Sequence, residues 1–322
     1  MTTATMERVN QVSQGPDLSK SVVLIRLERH SFGNSRKLKK DQYEVGVEKQ
    51  SDGTFTADGD KSMTSASKRL LDSPELDVVR ARMGQLRNYV EDQSLPFPVN
   101  GVYMLPITKV EDVVFTMDEM IAKVNEAVDD FMRTYRTREK EARERNPKLY
   151  NPLDYPPEQV MRSKFSCYYQ IVSIGSPESQ LSNRVDPEIL KKARQSTERL
   201  WVDAAEMTRQ MQAQIMLELV EHLRDKLTDD GNGKPKRFTT STLENLQDFM
   251  RDFERSANVT DYKELATLVE QGRKLLNGTS TDDLKDSAKL RATIKENFAV
   301  IEKSLTSMVG ERKVRSKNAD EF

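Results

Sequence analysis

The chain has 322 residues, of which 36% are hydrophobic and 32% charged, with a mean hydropathy of −0.71. That balance suits long, solvent-washed helices with narrow cores better than a large α/β enzyme, and the length allows two domains or one elongated one. The 51 basic and 52 acidic residues nearly cancel, so no global field favours nucleic acid or an anionic membrane. The single Cys167 excludes an intramolecular disulfide or a cysteine-rich zinc site, and two histidines, His30 and His222, are too few for a multi-histidine metal centre in one chain.

Residues 1–20 are polar, lack an apolar signal core and predict a disordered leader. The longest apolar run, 22–25, is far too short to span a bilayer, so no membrane role is expected. With one cysteine and no signal, the expected compartment is the cytosol. Residues 21–27 are β-branched and bounded by polar residues, which predicts a buried strand. A basic cluster follows, Arg26, Arg29, Arg36, Lys37, Lys39 and Lys40, with Phe32 interleaved. Residues 43–60 alternate weakly and carry Ser51-Asp52-Gly53 and Asp58-Gly59-Asp60, which predicts a poorly ordered hairpin or an irregular surface segment.

Residues 65–71 predict a short helix. Ser73-Pro74-Glu75-Leu76 begins another, with Ser73 as cap and Pro74 at the first position. Its apolar stripe is Leu76, Val79, Met83, Leu86 and Val90. Leu95-Pro96-Phe97-Pro98 forces extended chain, Asn100-Gly101 turns it, and 102–105 predicts a short strand.

Val110, Val114, Met117, Ile121, Val124, Val128, Phe131 and Tyr135 then step 4-3-4-3-4-3-4, a heptad seam flanked by acids and lysine. Residues 136–145, RTREKEARER, continue it as a solvated helical face. Residues 165–174 are aromatic and β-branched, a second convincing strand, expected to pair with 22–27.

Asp186-Pro187-Glu188 opens a helix uninterrupted by glycine or proline until Gly231. At 1.5 Å per residue it is about 60 Å long. Ala193, Thr197, Leu200, Ala204, Met207 and Met211 step as heptads, then Ile215, Leu219 and Leu223 follow at fours, a stutter. The expected partner is the earlier heptad helix, antiparallel, with Val114, Met117, Ile121, Val124, Val128 and Phe131 facing Leu200, Ala204, Met207 and Met211. Residues 231–240 predict a flexible linker. Residues 241–310 predict a C-terminal helical segment with Ser241-Thr242-Leu243-Glu244 as capping box, a helix stopped by Asn277-Gly278, and a last helix from about 281 ended by Gly310; 311–322 is a basic-then-acidic tail. The expected fold is therefore mainly α: an elongated bundle of long heptad helices on a small two- to three-stranded sheet, with residues 21–230 as the stalk.

Catalytic patterns are few. Gly231-Asn232-Gly233-Lys234 lacks the early glycine, the preceding strand and the following Ser/Thr of a phosphate loop. The Asp58 and Asp229 turns lack the full oxygen ladder of a calcium loop. Glu218, His222 and Asp225 share a helix face, read as a surface ion pair or as half of a metal site completed by a second chain. Cys167 reads as a buried inert thiol and Trp201 as bundle core. No cofactor is expected.

Several short motifs appear in order: residues 23–27 (VLIRL), 67–71 (SKRLL), 86–89 (LRNY), 95–97 (LPF), 101–106 (GVYMLP), Tyr155-Pro156 and Phe165. Over residues 22–226 the chain thereby resembles the phage- and plasmid-encoded family of domain of unknown function 3150. The resemblance implies no established activity. It implies a setting beside a MoxR-like AAA+ ATPase and a von Willebrand factor A protein, hence a partner or client of an ATPase remodelling system. Two functional expectations follow. The first is a non-enzymatic helical scaffold or adaptor that binds such a protein, or itself. The second is a nucleic-acid-binding protein using Arg26, Arg29, Arg36, Lys37, Lys39 and Lys40.

Overall fold

The computed structural model describes residues 18–43, 48–49, 55–56, 65–175, 185–228, 236 and 239–317. Among them the fold is mainly α, with a small three-stranded antiparallel sheet and two two-stranded ladders. The strands are β1 (Val22–His30), β2 (Ser35–Lys37), β3 (Glu48–Lys49), β4 (Phe55–Thr56), β5 (Ser67–Arg69), β6 (Val102–Pro106) and β7 (Ser166–Val172). The helices are α1 (Pro74–Gln93), α2 (Val110–Arg145), α3 (Glu158–Arg162), α4 (Pro187–Lys226), α5 (Thr240–Asp252), α6 (Lys263–Leu276), α7 (Thr281–Asp286) and α8 (Ala288–Lys317).

The sheet runs β6-β1-β7, so the expected pairing of the two long strands holds and the short strand joins their other side. β1 is central because Val22, Leu24, Ile25 and Leu27 are all buried. The chain divides into two compact units, and the division falls inside β1 and β7. The first comprises Met1–Ile25, Ser94–Glu111 and Ile171–Phe322; the second comprises Arg26–Gln93 and Asp112–Gln170.

In the first unit, α4 begins where expected, with the Asp186 side chain accepting the Glu188 N–H. Its C-terminal half packs against α8 and α5. Met216, Val220, Leu246, Leu265, Val269 and Phe298 form one continuous core there. Gly272 sits at its tightest point: a Cβ would lie 3.0 Å from Met250 Sδ and 3.6 Å from Phe298 Cε1, so the helices approach over bare backbone. Arg224 on α4 pairs with Glu302 on α8 and donates to the Lys295 carbonyl. Leu18, Val22, Leu24, Phe97 and Met104 build a smaller cluster around Ala204 and Trp201. Trp201 stacks edge-on against Phe97 at 5.4 Å and donates to the Ile174 carbonyl, so it is core, as the sequence suggests.

The second unit is organised by α1 and α2. Ser73 caps α1, its hydroxyl accepting the Leu76 N–H at 3.2 Å, and the expected stripe from Leu76 to Val90 is buried. Phe131 on α2 meets Phe165 at 5.5 Å, and the Tyr135 hydroxyl donates to the Pro156 carbonyl.

Several expectations are corrected. Residues 67–69 form β5, antiparallel to β2, and are not helical. The reason is Asn34: its amide accepts from the Leu71 N–H and donates to the Leu71 carbonyl, both at 2.7 Å, holding the strand's exit extended. Leu18–Lys20, expected to be disordered, form a 3-10 turn with Leu18 buried. Whether residues 241–310 dock is left open by the sequence; α5, α6 and α8 complete the core of α4. The last helix is interrupted at Ser287, whose hydroxyl accepts the Leu290 N–H and starts α8 afresh. Gly310 does not end it; α8 runs to Lys317, since a helical glycine costs only about 1 kcal/mol.

The rows that α2 and α4 bury differ from the expected seams, and α2 belongs chiefly to one unit and α4 to the other. On α2, Met117, Val124, Val128 and Phe131 are buried, but Val113 replaces Val114, and Ile121 is half-buried. On α4 the buried row is Ala204, Thr208, Gln212, Met216 and Val220, one residue in four. Leu200 and Met211 are half-buried and Met207 is 39% exposed. An i+4 ridge rather than a heptad seam is what ridge-into-groove packing between globular helices uses. A scan restricted to apolar residues passes over Thr208 and Gln212 and so follows the wrong row.

Thr208 is fully buried and its hydroxyl has no hydrogen-bond partner; the same holds for the hydroxyl of nearby buried Thr260 and for Arg209 Nε. Thr208→Val is nearly isosteric and removes an unsatisfied oxygen. We expect it to stabilise the protein by about 1 kcal/mol, read as a higher urea midpoint at unchanged slope.

Candidate functional site

A cleft of 490 Å³ in the second unit lies between the β2–β5 ladder and the C-terminal turns of α2. It is lined by Lys68, Arg69, Arg138 and Arg145, with Asp72 and Glu141 opposite, and floored by Tyr150 and Tyr155. Arg138 grips Glu75 with two hydrogen bonds, 2.7 and 3.2 Å, and reaches Glu141 at 3.1 Å. Arg145 reaches Asp72 at 2.7 Å. Lys68 reaches Asp154 at 2.7 Å, and Arg69 reaches Asp77 at 2.8 Å. The tyrosine rings stack at 4.9 Å; Tyr155 donates to the Leu70 carbonyl and Tyr150 to Glu139. Every cation lining this cleft thus faces a carboxylate, which makes it a fastening between α1, α2 and the ladder more than an anion trap.

Electrostatics agree. The Arg138 guanidinium holds the Glu75 carboxyl down to about 2, and that of Arg145 lowers Asp72. Burial pushes the Tyr155 hydroxyl up to about 12. A carboxyl depressed in the folded state contributes stability above its unfolded value, near 4.5, and loses it as the pH falls toward 2. Glu75→Gln is therefore expected to cost about 2 kcal/mol at neutral pH and to flatten the stability curve between those pH values. Urea titrations across the acid range read both effects.

Pairing within the fold occupies part of the basic cluster expected from sequence. Arg26 pairs with Glu28 at 2.5 Å, and Arg29 donates to the Met83 carbonyl at 3.1 Å. Arg36 lies over the Phe32 ring and reaches Asp154 at 3.5 Å. Lys37, Lys39 and Lys40 are exposed. Phe32, the aromatic that would stack a base, is buried. Cys167 is buried and its thiol pushed up by burial, while His222 is exposed. Among the described residues no three histidine, cysteine or acidic side chains converge as a metal site. The Asp58 and Asp229 turns and the 231–234 loop lie outside the described residues.

A second cleft, 370 Å³, lies in the first unit beside the π-helical turn Phe253–Ala257, lined by Ile107, Glu254, Arg255 and Asn258 among others. Lys109 and Asp252 clasp nearby at 2.7 Å. On α4, the exposed Met207 and Ile215 flank half-buried Met211, a thioether-rich strip at i, i+4 and i+8.

Sequence reasoning missed the Glu75–Arg138 and Asp72–Arg145 fastening. A signal was present: Arg138 and Arg145 stand seven residues apart, on one face of α2, within a run read as merely solvated.

Residues 19–260 match the family described as Protein of unknown function (DUF3150). The chain belongs to the DUF3150 family. The match spans the sheet, α1 to α5 and the fastened cleft, and stops before α6. No curated protein and no solved structure matches the chain. Among the described residues no helix is long and apolar enough to cross a membrane.

Proposed function

We propose that this chain is a non-enzymatic helical scaffold or adaptor of a phage or mobile element, acting in the cytoplasm as a partner of an AAA+ and von Willebrand factor A remodelling system. The observation that carries the reading is the strip on α4 in which exposed Met207 and Ile215 flank half-buried Met211, beside the row that the helix buries. Methionine-rich helix faces adapt to differing partner helices. The cleft supports the same reading, because its charges are spent on internal fastening. The test is capture of a MoxR-like ATPase or a von Willebrand factor A protein by the full chain, with light scattering of the chain alone. A strict monomer that retains neither protein overturns the reading.

A second reading, nucleic-acid binding, rests on exposed Lys37, Lys39 and Lys40, three cations within four residues. Fluorescence anisotropy with single- and double-stranded DNA at rising salt tests it. Binding that weakens with salt and is lost on replacing the three lysines by alanine supports it; no binding at low salt removes it.

A further inference from the structure

We propose that the outer edge of β7 pairs antiparallel with β7 of a second copy of this chain, joining two three-stranded sheets into one of six strands. This goes beyond the adaptor reading and stands whether or not that reading holds.

The sheet has two edges, and they are treated differently. β6 is closed on its far side: Leu95 exchanges both backbone hydrogen bonds with Met104, at 2.7 and 3.1 Å. β7 is the terminal strand at the other edge, and among the described residues no strand pairs with its outer side. Edge strands are ordinarily blunted by charge, proline or a bulge. The β2–β5 ladder follows that rule, carrying Arg36, Lys37, Lys68 and Arg69. β7 has none of these devices. Residues 165–175 contain no charged residue and no proline, in a chain that is 32% charged. Tyr168 is 44% exposed and Ile171 63% exposed on this strand.

The absence of charge points to an uncharged partner edge, and the chain itself supplies one. Two β7 strands related by a two-fold axis run antiparallel, so each presents the same aromatic and β-branched side chains to the other. Seven residues give about 23 Å of ladder at roughly 3.3 Å per residue. Because Leu95 closes β6, β7 is the one unpaired edge of this sheet among the described residues, and the assembly stops at two copies instead of growing into a fibre.

Light scattering of the full chain, with Ile171→Lys, Tyr168→Lys and a control, Leu153→Lys, tests the proposal. Leu153 is an apolar residue, 90% exposed, outside the three-stranded sheet. The expected result is twice the chain's 36.9 kDa for the wild type and the control, and the single mass for Ile171→Lys and Tyr168→Lys. A wild type at the single mass overturns the proposal, as does a doubled mass that survives both β7 variants or is lost in the control. Should the β7 variants not fold, hydrogen exchange of the wild type decides: β7 amides must slow as concentration rises, and concentration-independent exchange refutes the pairing. ATPase capture by monomeric Ile171→Lys would leave the adaptor reading intact, so the two fail separately.

Discussion

Asn34→Ala is expected to destabilise the protein by about 3 kcal/mol, a large effect for a residue in a short loop. Asn34 is buried, and its side-chain amide closes a ring with Leu71, which is wholly buried. Its own carbonyl also accepts the Leu70 N–H at 3.0 Å. Alanine keeps that last bond, and Arg69 Nε still donates to the Leu71 carbonyl at 3.0 Å, but the buried Leu71 N–H is stranded, at about 1–3 kcal/mol, and the carbonyl's second donor, worth about 1 kcal/mol, is lost. Asn34→Asp makes a useful companion: it still accepts the Leu71 N–H but turns an oxygen toward the Leu71 carbonyl, where the amide had donated. Both variants should shift the urea midpoint downward, and the Leu71 amide should exchange faster. A midpoint within a few tenths of a molar of wild type would mean that the loop conformation does not depend on this residue.

Phe298→Ala carries the largest expected cost, about 4 kcal/mol, because it empties the centre of the first unit. Phe298 is fully buried and lies against the bare backbone of Gly272, with Met216 and Met250 close by. The backbone of α6 is already as near as it can come, so it cannot close in on the vacancy; only the two methionine side chains can fill part of it. At the usual enthalpy for a unit of this size the melting midpoint should fall by roughly 10 °C. Phe298→Leu should recover more than half of the loss. A cost below that of Thr260→Ala, which removes a single buried hydroxyl, would contradict the assignment of this core.

The secondary structure that was legible in sequence is the part with local chemistry. Asp186-Pro187 starts α4 and Ser73-Pro74 starts α1 because caps and first-turn prolines act over three or four residues. The β-branched runs of β1 and β7 identify themselves, and being the longest such runs they identify each other. The larger errors are tertiary. β5 has the composition of a helix, and only Asn34, more than thirty residues away, makes it a strand. The row that α4 buries includes Thr208 and Gln212, which no apolar periodicity can select. Which helix covers which was not readable, because the seams of α2 and α4 fit each other on paper while α8, remote in sequence, supplies the cover for α4.

The candidate site was legible only in its ingredients. The basic residues of 26–40 could be counted, but that Arg29 and Arg36 are spent on a carbonyl and on Asp154 depends on the fold. Conversely, Arg138 and Arg145 look solvated in sequence and turn out to be paired, because the first turn of α1 brings Glu75 to Arg138 and the residues just before it bring Asp72 to Arg145.

The central claim is that α4 presents Met207, Met211 and Ile215 to a protein partner. Hydrogen exchange of the full chain with and without a MoxR-like ATPase or von Willebrand factor A protein measures this most directly, paired with capture by a Met207→Glu, Ile215→Glu double variant. The account predicts slowed exchange centred on residues 205–216, and loss of capture in a variant whose α5, α6 and α8 amides remain as protected as in wild type. Undiminished capture by that variant, with protection appearing elsewhere and none on α4, would contradict it.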